Sequence, residues 1–353
     1  MLSKIEELEL EEQLKLLNKS SIKTVKMKPT LVRSKQNSSA SASNWSSRIW
    51  SEDGGCPFGT VPIKKITKED LIRQRNMPPP EDHVTSDPEL TTINDVSSQV
   101  YKLAIVRIPK NPHNKFGGAG MANSLWNPLV EGQQHSACRL KIQKGSDILQ
   151  VGWRIDRGKK DGRGVDPTLY SDNKTRLFVH FQAGNKQCFN VLCSGFVLVS
   201  HDTPIDMVFE DISQPGQGGS WEATMYIERD NVSGNWWFLF EESYKQIGFW
   251  PQQIFTDLRG FADNIEWGGV AYSPPGVPKP PMGSGIFPVG NTDDAYCRRL
   301  SVLNDDGATI DVDRTTIYVD DPNLYRVLDY PHFKPGKFQH VALYGGPGES
   351  HKL

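Results

Sequence analysis

Three glutamates lie on strand-like stretches of this 353-residue chain: Glu222 and Glu228 in SWEATMYIER, and Glu266 in IEWGGVAY. Carboxylates are the natural candidates for proton transfer when no better-armed group is present. Each also occupies a position where an amphipathic strand wants a polar, solvated residue. Other chemistries find no foothold. The chain has no GxSxG nucleophile elbow, no HExxH, no P-loop and no GxGxxG. Its eight histidines are scattered, with no pair at metal-ligand spacing, and its five cysteines include no CxxC pair. Cys188 and Cys193 flank the short loop of QCFNVLCSGF, a spacing that suits a local disulfide or two buried thiols. With Cys56, Cys138 and Cys297 the count is odd, which leaves at least one of the five cysteines unpaired or intermolecular.

The elements that would position these side chains are strands. YKLAIVRI sends Leu103, Ile105 and Arg107 to one face and Ala104, Val106 and Ile108 to the other. TRLFVHFQ sends Leu177, Val179 and Phe181 one way. SWEATMYIE places Trp221, Ala223, Met225 and Ile227 opposite Glu222, Thr224, Tyr226 and Glu228. CRLKIQ, ILQVGWRI, GFVLVS, NWWFLFEE, IEWGGVAY, YCRRLSVL, TTIYV and FQHVALY read as further strands, most of them separated by turn residues. One short helix is expected over 251–258, with Pro251 at its start. Many short strands and few helices predict an all-β, antiparallel β-sandwich of two sheets.

The first 95 residues read differently. Ser3 and Glu6 form a capping box ahead of an amphipathic helix over 3–18, and Thr67 with Asp70 opens a second short helix. Between them, residues 34–47 are rich in Ser and Asn, and a polar, proline-containing linker runs from Met77 through Pro78, Pro79 and Pro80 to Asp95. The reading is a separate, small α-containing N-terminal region over 1–95 and a β-domain over 96–353. The formal net charge of −2 excludes a nucleic-acid footprint, and no stretch approaches a membrane span. The residues Met1–Glu12 are too charged for a secretory signal, whereas N-x-S/T triplets at Asn18, Asn37, Asn44, Asn173 and Asn231 would suit a secreted glycoprotein.

Several blocks, in one order, resemble the plant neprosin family: GGCPFGTVPIKK, ILQVGWRI, DPTLYSDNKTRLFVHF, QCFNVLCSGF, GNWWFLF, IGFWPQQIF, IEWGGVAY, PPMGSGIFP and ALYGGPG. The likeness runs over most of residues 12–350. It implies an N-terminal activation domain before a peptidase domain, a secreted zymogen of the extracellular space or cell wall, and cleavage of polypeptides after proline. The implied mechanism uses two glutamates across a sheet groove, without a cofactor. Two carboxyls held together share a proton, because like charges raise one pKa.

The resemblance assigns those two glutamates to Gln150, in Gln150-Val151-Gly152-Trp153, and to Val270, in Trp267-Gly268-Gly269-Val270. Glutamine orients a water or carbonyl but takes no proton, and valine does neither. Glu266 lies an even offset from Val270 and so shares its face, displaced by roughly 13 Å along the strand. It is the weak substitute. Trp153, Trp267 and Tyr272 are the aromatic candidates for contacting a proline ring. A basic, glycine-rich insertion at 157–164 departs from the family block. The competing expectations are a post-proline endopeptidase and a non-catalytic protein that binds proline-rich peptides or cell-wall components. A glycan-binding sandwich is a third class that no residue favours.

Overall fold

The structure, a computed structural model, describes residues 3–18, 28–30, 65–75, 81, 100–156, 172–333 and 339–349. The insertion at 157–164, Cys56, Asn37, Asn44 and the Pro78–Pro80 tract lie outside these residues. Two antiparallel sheets form the β-domain. The first contains seven strands in the order β14-β1-β11-β3-β4-β5-β6. These are β1 Tyr101–Arg107, β3 His135–Lys144, β4 Asp147–Asp156, β5 Arg176–Ala183, β6 Lys186–Phe189, β11 Asn264–Tyr272 and β14 Thr316–Val319. The second runs β15-β16-β12-β2-β8-β9-β10-β7, with β13 added beside β12. Its members are β2 Gly118–Ser124, β7 Val197–Leu198, β8 Glu222–Arg229, β9 Trp236–Phe240, β10 Lys245–Trp250, β12 Ala295–Leu303, β13 Thr309–Asp311, β15 Arg326–Tyr330 and β16 Val341–Gly345. The all-β sandwich is as expected.

The alternation read from sequence fixes which face is inside. Ala104 and Val106 of β1, Leu177, Val179 and Phe181 of β5, and Ala223, Met225 and Ile227 of β8 all join one buried core between the sheets. Strand β2 was not expected. Its sequence, GAGMANS, lacks the β-branched and aromatic residues that signal a strand, yet all seven positions are buried between β8 and β12. Small residues suit it because the neighbouring strands come close. A Cβ at Gly120 would lie 2.3 Å from the Tyr226 ring. The expected helix at 251–258 shrinks to a single 3-10 turn over Gln252–Ile254, entered from Pro251.

The N-terminal region has a small core of its own. Helix α1 (Lys4–Leu17) carries the Ser3/Glu6 capping box. Helix α2 (Lys68–Arg75) begins after Thr67, whose hydroxyl accepts from the Asp70 amide at 3.2 Å. Leu10, Ile66 and Leu71 are buried together between them. Among the described residues, Thr30 and Glu81 reach the β-domain: the Thr30 hydroxyl and amide donate to Asp230, the hydroxyl at 2.8 Å, and Glu81 meets Arg139. Among the described residues, no helix is long and apolar enough to cross a membrane.

Candidate functional site on the outer face of the seven-stranded sheet

Strand parity places the residues of interest. On β4, Leu149, Val151, Trp153 and Ile155 enter the core, so Gln150, Gly152 and Arg154 occupy the outer face. On β11, Ile265, Trp267 and Ala271 enter the core, so Glu266, Gly268, Val270 and Tyr272 share that outer face. Strand β3 lies between the two and turns Cys138, Leu140 and Ile142 inward, leaving Ala137, Arg139 and Lys141 outward.

The register then sorts the outer face into rows. Gln150 pairs with Lys141, Lys141 with Glu266, and Glu266 with Arg107. His180 of β5 extends this row beyond Gln150. In the next row, Gly152 and Gly268 flank Arg139. In the third, Ala137 stands between Arg154 and Val270. Gln150 and Val270 therefore share a face but sit two rows apart. Glu266, the weak substitute by sequence, is the residue level with Gln150. The two glycines are required by close strand approach: a Cβ at Gly152 would lie 2.0 Å from the Cys138 carbonyl oxygen, and one at Gly268 2.6 Å from that of Ala104.

Two of the three aromatic candidates are on the wrong side. Trp153 and Trp267 are wholly buried between the sheets. Their indole N–H groups donate to the carbonyls of Ser124 (2.9 Å) and Gly120 (3.2 Å) on β2. They bind sheet to sheet and cannot touch a ligand on the outer face. Each lies three residues from the assigned position, Trp153 from Gln150 and Trp267 from Val270, and an odd offset on a strand reverses the face. Tyr272 does lie on the outer face. It stacks on His135 with ring centroids 5.0 Å apart and tilts against Tyr101 at 4.9 Å.

The centre of the face is an ion cluster that the sequence reading missed. The Arg139 guanidinium, fully buried, donates from Nη2 to Glu266 at 2.8 Å. It also donates from Nε to Glu81 at 2.7 Å, and its Nη2 makes a second, very short contact to the same oxygen. Lys141 Nζ lies 3.8 Å from Glu266, and Asn264 donates to Glu266 at 3.1 Å. Burial by itself would raise the Glu266 pKa. The charges of Lys141 and Arg139, with the hydrogen bonds from Asn264 and Arg139, outweigh it and hold the carboxyl at about 2. Burial likewise works against the Arg139 charge, and Glu81 and Glu266 more than restore it. The ion pair with Arg139 and the nearby Lys141 therefore favour the anionic form of Glu266, which accepts hydrogen bonds.

Val270 belongs to an apolar group on the same outer face, with Leu103, Ile105, Ala137, Phe178 and Phe189. One half of the face is therefore charged and the other apolar. The other two candidate carboxylates are on the second sheet. Glu222 is ion-paired with Arg298 and accepts from the Tyr296 hydroxyl at 3.0 Å, while Glu228 is buried on the same strand. Among the described residues, no three metal-ligating side chains gather in one place.

The cysteines resolve the alternatives left open by spacing. Cys188 and Cys193 are disulfide-bonded across the loop after β6, with Cα atoms 5.9 Å apart. Cys138 and Cys297 face each other between the sheets as thiols, sulfurs 3.3 Å apart. Arg139 and Lys141 left one signal in the sequence, two cations at alternate positions of CRLKIQ. Its meaning depended on knowing that this strand separates β4 from β11.

The Neprosin family model matches residues 132–347, which include every strand of this sheet except β1. Among solved structures, the chain is similar to scytalido-glutamic peptidase with a transition-state analogue inhibitor. Identity is 10%, TM-score 0.37, and the match covers 69% of this chain and 98% of that one. It is similar at the same identity to SCP-B, a member of the Eqolisin family of peptidases in complex with the tripeptide Ala-Ile-His (TM-score 0.35, 69% and 96% covered). A β-porphyranase from the human gut bacterium Bacteroides plebeius matches less of both chains, 49% and 56%, at 11% identity and TM-score 0.25.

Proposed function

The chain belongs to the Neprosin family, and on that premise we propose that it binds an extended polypeptide on the outer face of the seven-stranded sheet without cleaving it. One observation carries this reading. At the position assigned to one of the two carboxylates stands Val270, packed in an apolar group, and the carboxylate level with Gln150 is held as an ion-paired anion. Gln150 can align a carbonyl or a water, but neither assigned position supplies a group that takes or gives a proton. The apolar half of the face, including Tyr272, suits proline rings and other apolar side chains of a peptide. Cell-wall polypeptides rich in proline are the chemical class implied, and the place of action is extracellular.

A second reading, a secreted post-proline endopeptidase made as a zymogen, is favoured by Glu81. We place the boundary between the pro-region and the β-domain at residue 95, and a pro-segment that covered the groove would have to contact its floor, as Glu81 contacts Arg139. In that reading Gln150 orients the water, and Glu266 must leave Arg139 before it can take a proton.

Incubation of the full-length protein at pH 3–5 with a labelled proline-containing peptide separates the two. Binding detected by fluorescence anisotropy, with the peptide intact by mass spectrometry, is expected. Cleavage that disappears in Gln150→Ala would establish the peptidase instead.

A further inference from the structure

We propose that Cys138 and Cys297 are a covalent modification site: oxidised together, they form a second disulfide that staples the two sheets through the core. Such a link is independent of peptide binding on the outer face, because both sulfurs face inward.

The two residues come from opposite layers. Cys138 lies on β3, the central strand of the seven-stranded sheet, held between Trp153 of β4 and Gly269 of β11. Cys297 lies on β12 of the other sheet, held between Asn123 of β2 and Ala342 of β16. Both side chains are wholly buried, and their sulfurs are 3.3 Å apart although 159 residues separate them in sequence. A disulfide needs roughly 2.0 Å, so an approach of roughly 1.3 Å closes it. Each strand is paired on both sides, so the fold itself holds the sulfurs opposite each other, and neither has to be recruited from a loop. A structural zinc site would use four ligands. Among the described residues, no third histidine, cysteine or carboxylate joins these two thiols.

The step is a thiol–disulfide exchange. One cysteine, as its thiolate, attacks a small-molecule disulfide such as glutathione disulfide, which leaves a mixed disulfide and releases one small thiol. The second cysteine thiolate attacks the protein sulfur of that mixed disulfide, forms the Cys138–Cys297 bond and expels the second small thiol. Two S–H bonds of the protein are lost, the oxidant takes the two electrons, and the two protons end on its two thiols. Neither sulfur is accessible in the folded chain. Exchange therefore takes place while the sheets are still assembling, and closure of the core then shields the bond. The Cys188–Cys193 disulfide lacks that shield, because Cys193 is only half-buried.

In the test, the full-length chain is folded in a buffer of glutathione and glutathione disulfide, unfolded in guanidinium with an alkylating agent, and digested without reduction. Mass spectrometry is expected to find the Cys138 peptide joined to the Cys297 peptide. Alkylated Cys138 and Cys297, or either of them joined to Cys56, would overturn the link. Dithiothreitol added to the folded protein is expected to open Cys188–Cys193 roughly ten-fold or more faster than Cys138–Cys297. Equal rates would overturn the shielding by the core. The form reduced only at Cys188–Cys193 is expected to melt roughly 5–15 °C above the fully reduced chain, at mildly acidic pH where exchange is slow. Coincident melting curves would overturn the staple. Every arm uses the unmodified sequence, so no core substitution that fails to fold can obscure the result.

Discussion

The outer faces of the two sheets each hold an arginine–glutamate cluster, and the two differ in how far they are removed from water. On the nine-stranded sheet, Arg298 and Glu222 sit across β12, β2 and β8, and Tyr296 donates to the same carboxylate. Both side chains keep some solvent, Glu222 at 23% exposure. On the seven-stranded sheet, Arg139 and Glu266 are almost wholly removed from water. There Arg139 is shared between Glu266 of the next strand and Glu81, far away in sequence, and Lys141 also lies beside Glu266. The first contact is made within one sheet and near solvent, whereas the second is buried and reaches a residue outside the sheet.

The sharpest way to break this contrast is to remove the buried anion. Glu266→Ala removes a buried anion that Arg139 and Lys141 both contact and is expected to cost about 3–5 kcal/mol of unfolding free energy. Urea denaturation followed by tryptophan fluorescence measures it. A loss under about 1 kcal/mol would mean that the cluster is far better hydrated than its burial implies.

The acid limb of stability is the next probe. The folded pKa of Glu266, about 2, lies below its ordinary value of 4.5. A depressed carboxyl stabilises the fold fully above its unfolded pKa and loses that contribution as pH falls through the folded value. The expected loss is on the order of 3 kcal/mol between about pH 4.5 and 2. Glu266→Gln should flatten that limb relative to the unmodified protein. Parallel curves for the two proteins would remove Glu266 from the account.

The smallest effect is expected from the other sheet. Glu222→Gln keeps the shape of a part-exposed pair and should cost about 1 kcal/mol or less, with the loss shrinking further in high salt. A cost comparable to that of Glu266→Ala would erase the distinction between the two clusters.

Much of this site was legible before any coordinates. Period-two alternation put Gln150, Glu266 and Val270 on polar or mixed strands, and the even offset put Glu266 and Val270 on one face, as they are. The same parity rule, applied from Gln150 to Trp153 and from Val270 to Trp267, would have sent both tryptophans to the core. The aromatic ring invited a binding role, and the odd offset was the better guide. Strand β2 was illegible for a different reason. Gly and Ala have weak strand preference, and its β-structure comes from the strands on either side.

The amino-acid sequence by itself determined the sandwich class, the small helical N-terminus, and the two alternating faces of strands such as β1, β5 and β8. These follow from local rules: side-chain periodicity, capping, turn chemistry and residue identity. Only the tertiary structure decided that Gln150 is level with Glu266 and two rows from Val270, that Arg139 occupies the row between, and that Glu81 comes to rest on it. Strand order and register are set by which inner faces pack together. A contact across 58 residues forms only when the sheet that holds its other half already exists.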